Sequence, residues 1–322
     1  MPLSQVPLEL LQEILTYALE DGRSPANVLS VNRQFLELGQ PLLHARLRFR
    51  SINQLILFSQ GKGDLICPPR SLSITLAGGM ADFEVFKYLA AALERCRRST
   101  RALKKQRHGE SSPSATLELV DQVPLELLSL RLHSHTNNPH LGYIYEALSL
   151  ANPKTFIWIG PDPEHHFSTA IVPSATYHLI RALSTWTAIE HITLTNLSFP
   201  SDELGVNTPF SRDAPLLPAL PSLRTLYVGQ ATLLPPSAVA AMLALPEYGA
   251  ISSVRLVDTY RHSIWGPRIR RRDIEQAAQG LVGLAEDARA KLVERVRRVV
   301  RCEKKTERIM GGDNGDAQGV LD

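Results

Sequence analysis

The chain has 322 residues, 44% hydrophobic and 21% charged, a balance that excludes wholesale disorder and allows a sizeable core. Lys and Arg number 35 against 32 Asp and Glu, so a formal charge of +3 gives bulk charge no part in arguing for nucleic acid, and none is expected as a partner. No apolar run approaches the ~20 residues that span a bilayer, and no membrane association is expected.

The most informative stretch is the first fifty residues. Helical spacing over Leu8, Leu10, Leu11, Ile14, Leu15, Ala18 and Leu19, with Glu9, Gln12, Glu13, Thr16 and Glu20 opposite, predicts an amphipathic helix with a wide apolar face. Gly22 ends it. Ser24-Pro25 opens a second helix through Val28, Leu29, Val31, Phe35 and Leu38, and Pro41 a third through Leu42, Leu43 and Ala45. Leu47 and Phe49 then alternate with arginines, as in a strand. Three short helices cannot cover this much apolar surface against one another, so the surplus needs a partner inside or outside the chain.

From about residue 60 to 272, short strands with apolar alternation recur at Ser71–Leu76, Leu128–Leu132, Phe156–Ile159, Ile189–Leu194, Leu223–Val228 and Ile251–Leu256. Their centres at Leu130, Ile157, Ile192, Leu226 and Val254 lie 27, 35, 34 and 28 residues apart, a family of spacings without a fixed period. Ile189-x-x-Ile192-x-Leu194, Leu223-x-x-Leu226-x-Val228 and Ile251-x-x-Val254-x-Leu256 share the LxxLxL spacing and resemble the strand segment of leucine-rich repeats. Helices are expected between them, over Ala175–Trp186 and Ser237–Leu245, each entered through proline and serine. A strand with its returning helix leaves its apolar face bare, and stacked neighbours share one core. The expected body is therefore a curved solenoid, with a doubly wound sheet or barrel as the alternative packing of the same alternation.

Seven basic residues from Arg95 to Arg107 (Arg95, Arg97, Arg98, Arg101, Lys104, Lys105 and Arg107) predict a solvated helix end and loop, since no aromatic residues are interleaved to stack bases. Leu281, Ala285, Ala288, Leu292, Val296 and Val299 keep helical spacing beside Arg289, Arg295, Arg297, Arg298 and Arg301, which reads as a helix capping the solenoid. The tail from Glu303 to Asp322 has too little apolar content to pack and is left out of the fold.

Catalytic motifs are missing from the sequence. Gly61-Lys62-Gly63 lacks the spacing of a phosphate loop, and there is no GxSxG, HExxH or paired CxxC. Asp162-Pro163-Glu164-His165-His166 crowds four ligand-capable side chains into one turn, and His133 and His135 share a strand face. Both read as surface features, so no metal and no cofactor are expected. Cys67, Cys96 and Cys302, odd in number and far apart, fit thiols of a reducing compartment. The opening residues, with Glu9 and Glu13 inside the first apolar stretch, lack the pattern of a secretory signal, which leads to an expectation of cytoplasm, nucleus or both.

The N-terminal stretch resembles the F-box. Val6-Pro7-Leu8-Glu9-Leu10-Leu11-Gln12-Glu13-Ile14-Leu15 matches its opening, Leu29-Ser30-Val31-Asn32-Arg33-Gln34-Phe35 its middle, and Pro41-Leu42-Leu43 its close. Val6 stands for the usual leucine and Phe35 for the common tryptophan. Val123-Pro124-Leu125-Glu126-Leu127-Leu128 repeats the opening string, but the later elements do not follow it, and it reads as a turn entering a strand. Ser263-Ile264-Trp265-Gly266-Pro267-Arg268, with Arg270 to Ile274, is similar to a segment of basidiomycete F-box-like proteins.

The resemblance implies a non-enzymatic substrate receptor of an SCF-type E3 ubiquitin ligase. It would dock on a Skp-family adaptor, and through it on cullin-RING ligase subunits, while the repeats bind a protein target. Pro7, Leu8, Leu11, Ile14, Leu15, Val31 and Phe35 are the expected adaptor-binding residues. The expected organisation is α/β: a three-helix F-box over residues 1–52, an irregular leucine-rich-repeat solenoid with a C-terminal capping helix over 60–302, and a disordered tail over 303–322. The competing readings are a ubiquitin-independent leucine-rich-repeat scaffold, or an α/β enzyme whose N-terminal helices cap its core.

Overall fold

Two unbroken rows of apolar side chains organise the body of the molecule. Leu47, Leu72, Leu128, Phe156, Ile192, Leu226, Val254 and Val300 stand side by side on eight successive strands, and Phe49, Ile74, Leu130, Trp158, Leu194, Val228, Leu256 and Cys302 form a second row two residues further on. All sixteen are buried. The side-chain period of two along each strand sends both rows to one face, which the helices cover.

The computed structural model describes residues 6–21, 24–61, 63–76, 82–108, 122–162, 168–200, 214–306 and 319–322. Helices α1 (Leu8–Asp21), α2 (Pro25–Leu29) and α3 (Arg33–Ala45) lead directly into β1 (Arg46–Phe49). Then follow α4 (Ile52–Gln60), β2 (Ser71–Thr75), α5 (Val85–His108), β3 (Val123–Arg131), α6 (Gly142–Leu148), β4 (Ala151–Ile159) and α7 (Pro173–Leu183). The chain continues with β5 (His191–Ser198), β6 (Thr225–Thr232), α8 (Pro236–Ala244), β7 (Ser253–Val257), α9 (Arg271–Gln279), α10 (Glu286–Val299) and β8 (Val300–Glu303). All eight strands are parallel and their order in the sheet is their order in the chain.

This corrects the expected architecture. Instead of a helical F-box followed by a leucine-rich-repeat solenoid under a capping helix, the fold is α/β with one eight-stranded, all-parallel sheet flanked by helices. β1 comes from residues assigned to the helical unit, and α10, expected as a cap, feeds the eighth strand. The tail is corrected in part. Leu321 is buried, its N–H donates to the Cys302 carbonyl at 2.8 Å, and Val320 pairs with Glu303. Residues 307–318 lie outside the described ones.

Local chemistry explains the element boundaries. Asn32 Oδ1 accepts the Phe35 N–H at 2.8 Å and starts α3 there, so the chain breaks at Ser30–Asn32 and Pro41 sits inside α3 rather than opening a further helix. Pro124 belongs to β3, paired with β4 at a level where β2 has not begun; β2 pairs only from Leu127 onward. The buried indoles are satisfied, with Trp158 Nε1 donating to the Leu132 carbonyl and Trp186 Nε1 to that of Leu148.

At the C-terminal ends of β5, β6 and β7, Asn196 (φ 60°), Gln230 (φ 48°) and Asp258 (φ 50°) occupy one level in the left-handed region. The Asn196 amide donates to Gln230 Oε1, and Gly160 is required beside them because a Cβ there would lie 2.9 Å from that of Asn196. Asp258 is buried with Arg268, whose Nε donates to it at 2.7 Å, and the Thr306 N–H adds a bond at 2.9 Å. The Arg268 Nη2 reaches the Thr306 carbonyl at 2.6 Å, so one ion pair joins the chain after β7 to the chain after β8.

Candidate docking surface

The N-terminal helices have a core of their own. Leu11 and Leu15 of α1 and Phe35 of α3 are buried together, with Val6, Val28, Leu38 and Leu42 around them, separate from the main core. At about 100° per residue the wide apolar arc of α1 divides in two. Leu11 and Leu15 point at α3, while Leu10, Ile14 and Tyr17 lie on the adjoining outer sector and are 51%, 49% and 60% exposed. Of the twelve large apolar side chains exposed among the described residues, six (Leu8, Leu10, Ile14, Tyr17, Val31 and Leu36) lie in this short segment. Among the described residues, exposure of this kind is thus concentrated in the N-terminal helices rather than scattered evenly along the chain.

The seven expected adaptor contacts therefore divide by position. Pro7, Leu8, Ile14 and Val31 face solvent, whereas Leu11, Leu15 and Phe35 hold the helices together from inside. Leu10, Tyr17 and Leu36 join the outer surface without having been singled out. For Leu10 the signal was the width of the α1 arc, since one partner helix covers only part of it, whereas Tyr17 borders that arc and Leu36 lies on α3.

The hairpin is tied to the body by polar contacts. Arg46 Nη1 and Arg48 Nη2 donate to Glu20 Oε1, at 2.6 and 2.7 Å. The Ile66 N–H donates to His44 Nδ1 at 3.0 Å, and Cys67 Sγ donates to the Pro41 carbonyl at 3.3 Å. Burial, and secondarily Arg95, hold His44 below its ordinary value, which keeps that nitrogen free to accept. Burial pushes the Cys67 thiol up and those of Cys96 and Cys302 to about 12, so none is a ready nucleophile.

The second candidate surface is the sheet face opposite the helices. Ser73, Ser129, Ile157, Thr193 and Tyr227 form its central row, with Arg48 at one end and Arg255 and Arg301 at the other. These side chains are half-buried or exposed. Arg255 pairs with Glu303 through two bonds, at 3.1 and 2.7 Å.

The remaining sequence candidates are structural or lie outside the described residues. The basic run is helical, because α5 continues to His108. Arg95 in it donates to the Phe58 and Gly63 carbonyls, at 2.5 and 2.6 Å, and stacks 4.4 Å from the Phe58 ring, closing the C-terminal end of α4. Gly61 and Gly63 flank Lys62, which lies outside the described residues. His133 Nε2 lies 3.3 Å from Asp162 Oδ2 with His135 beside it, while Pro163, Glu164, His165 and His166 are outside the described residues. Among the described residues no group of three or more His, Cys, Asp or Glu side chains is placed to hold a metal, and no helix is long and apolar enough to cross a membrane. Compared with protein-family models and with curated proteins, the chain matches none.

Proposed function

We propose that the N-terminal helices are a docking element for a Skp-family adaptor and that the chain is a non-catalytic receptor of an SCF-type ubiquitin ligase. The uncovered face of the sheet would present the protein target. The observation that carries this reading is the outer apolar sector of the hairpin. Leu8, Leu10, Ile14, Tyr17, Val31 and Leu36 stay exposed although Leu11, Leu15 and Phe35 already give the hairpin its own core. An apolar centre of this size supplies the anchor side chains that association needs.

The test is co-expression with a Skp-family adaptor followed by size-exclusion chromatography. The intact chain is expected to co-elute, and the Ile14→Asp/Tyr17→Asp variant, folded by circular dichroism, is expected to elute alone because it buries unpaired charge in the interface. Co-elution of the folded double variant would remove the hairpin from the interface. Separate elution of the intact chain would remove the adaptor as partner.

A further inference from the structure

The first strand and the residue after it read Arg46-Leu47-Arg48-Phe49-Arg50, and the two-residue period that buries Leu47 and Phe49 places the three arginines on the opposite side. There they meet the end of α1. Arg46 Nη1 and Arg48 Nη2 share the single oxygen Glu20 Oε1, and Arg50 Nη2 donates to the main-chain carbonyl of Glu20 at 2.8 Å. Among the described side chains one carboxylate thus stands beside three guanidiniums, an excess of positive charge around an open cleft that Thr16, Gln54 and the apolar Leu19, Pro25, Leu42 and Leu43 also line. The Arg46 and Arg48 side chains are 47% and 39% exposed, so a solute can reach both.

A latch between helix and strand needs one arginine and one carboxylate. Three guanidiniums gathered on one residue repel one another, and the two that share Glu20 Oε1 divide a single oxygen between two forked donor sets. A doubly charged oxyanion corrects both deficits by neutralising the excess charge and offering separate acceptors. We propose that this cleft binds a phosphate-type dianion, either the free ion or a phosphate monoester, with Glu20 as the built-in competitor for the same arginines. The inference does not depend on what covers the outer face of the hairpin.

Titration calorimetry of the full chain tests it at pH 7.5 and constant ionic strength, with inorganic phosphate and phenyl phosphate as probes. Saturable binding is expected. Arg48→Gln should weaken it about ten-fold, the size of one lost charge-assisted hydrogen bond. Glu20→Gln, which removes the competitor, should tighten it. Arg298→Gln, on the exposed surface of α10, should leave it unchanged. Tighter binding of phenyl phosphate assigns the cleft to a monoester, and equal or weaker binding to the free ion. No saturable heat with the intact chain and with Glu20→Gln would overturn the proposal, as would equal weakening by Arg298→Gln and Arg48→Gln.

Discussion

The hairpin and the sheet are built from the same kinds of side chain and treat them in opposite ways. In the sheet, each apolar residue of the two buried rows has a like neighbour on the next strand, so eight strands share one core. The hairpin cannot extend itself in this manner. Three helices of 14, 5 and 13 residues close around Leu11, Leu15 and Phe35 and leave six large apolar side chains outside. Stability in the first region is collective, whereas in the second it is local and incomplete, and the proposed docking rests on that incompleteness.

The comparison breaks first in the sheet. Asp258→Ala would leave Arg268 charged and buried without its partner, at a cost of about 3–5 kcal/mol, and denaturant unfolding should show it as a loss of global stability. Trp158→Ala empties a fully buried site packed 5.3 Å from the Phe86 ring and should cost about 3–5 kcal/mol, again globally. Leu11→Ala should cost about 2–4 kcal/mol in the hairpin alone. Hydrogen exchange would then lose protection in α1 and α3 while β3 to β7 keep theirs; a uniform loss would mean that the two cores unfold as one.

Acid sharpens the contrast more gently. Burial lowers His44, His135 and His178 below the ordinary 6.5, each with a lesser contribution from a neighbouring charged group. Their neutral forms are favoured in the fold, so the stability they contribute is complete above about 6.5 and declines as pH falls through the lowered values. His44 lies at the joint between hairpin and body, where protonation also removes the acceptor for the Ile66 N–H. Acidification should thus raise exchange at residues 65–67 before it does so in the strands. A joint that tightened on acidification would contradict this assignment.

The body was legible where periodicity and register agree. All nine LxxLxL positions, from Ile189 to Leu256, are buried as that spacing requires. The edges were not. β8 begins at Val300, directly after Val299 of α10, and the helical spacing of the preceding valines gave no sign of the change. β1 showed its alternation in Leu47 and Phe49, but whether it joins a sheet is decided by Leu72 and Ile74, more than twenty residues away. The Asp258–Arg268 pair and the return of Leu321 are likewise long-range events that no local pattern encodes. In the hairpin, the apolar arc of α1 was readable, but its division into inner and outer halves depends on where α3 lies.

Hydroxyl-radical footprinting of the chain alone and with a Skp-family adaptor addresses the division between the two halves of that arc directly. The account predicts that Leu8, Leu10, Ile14 and Tyr17 are labelled in the free chain and protected in the complex, while Leu11 and Leu15 are protected in both. Labelling of Ile14 and Tyr17 that is unchanged by an adaptor shown to bind would contradict it, as would protection of both residues in the free chain.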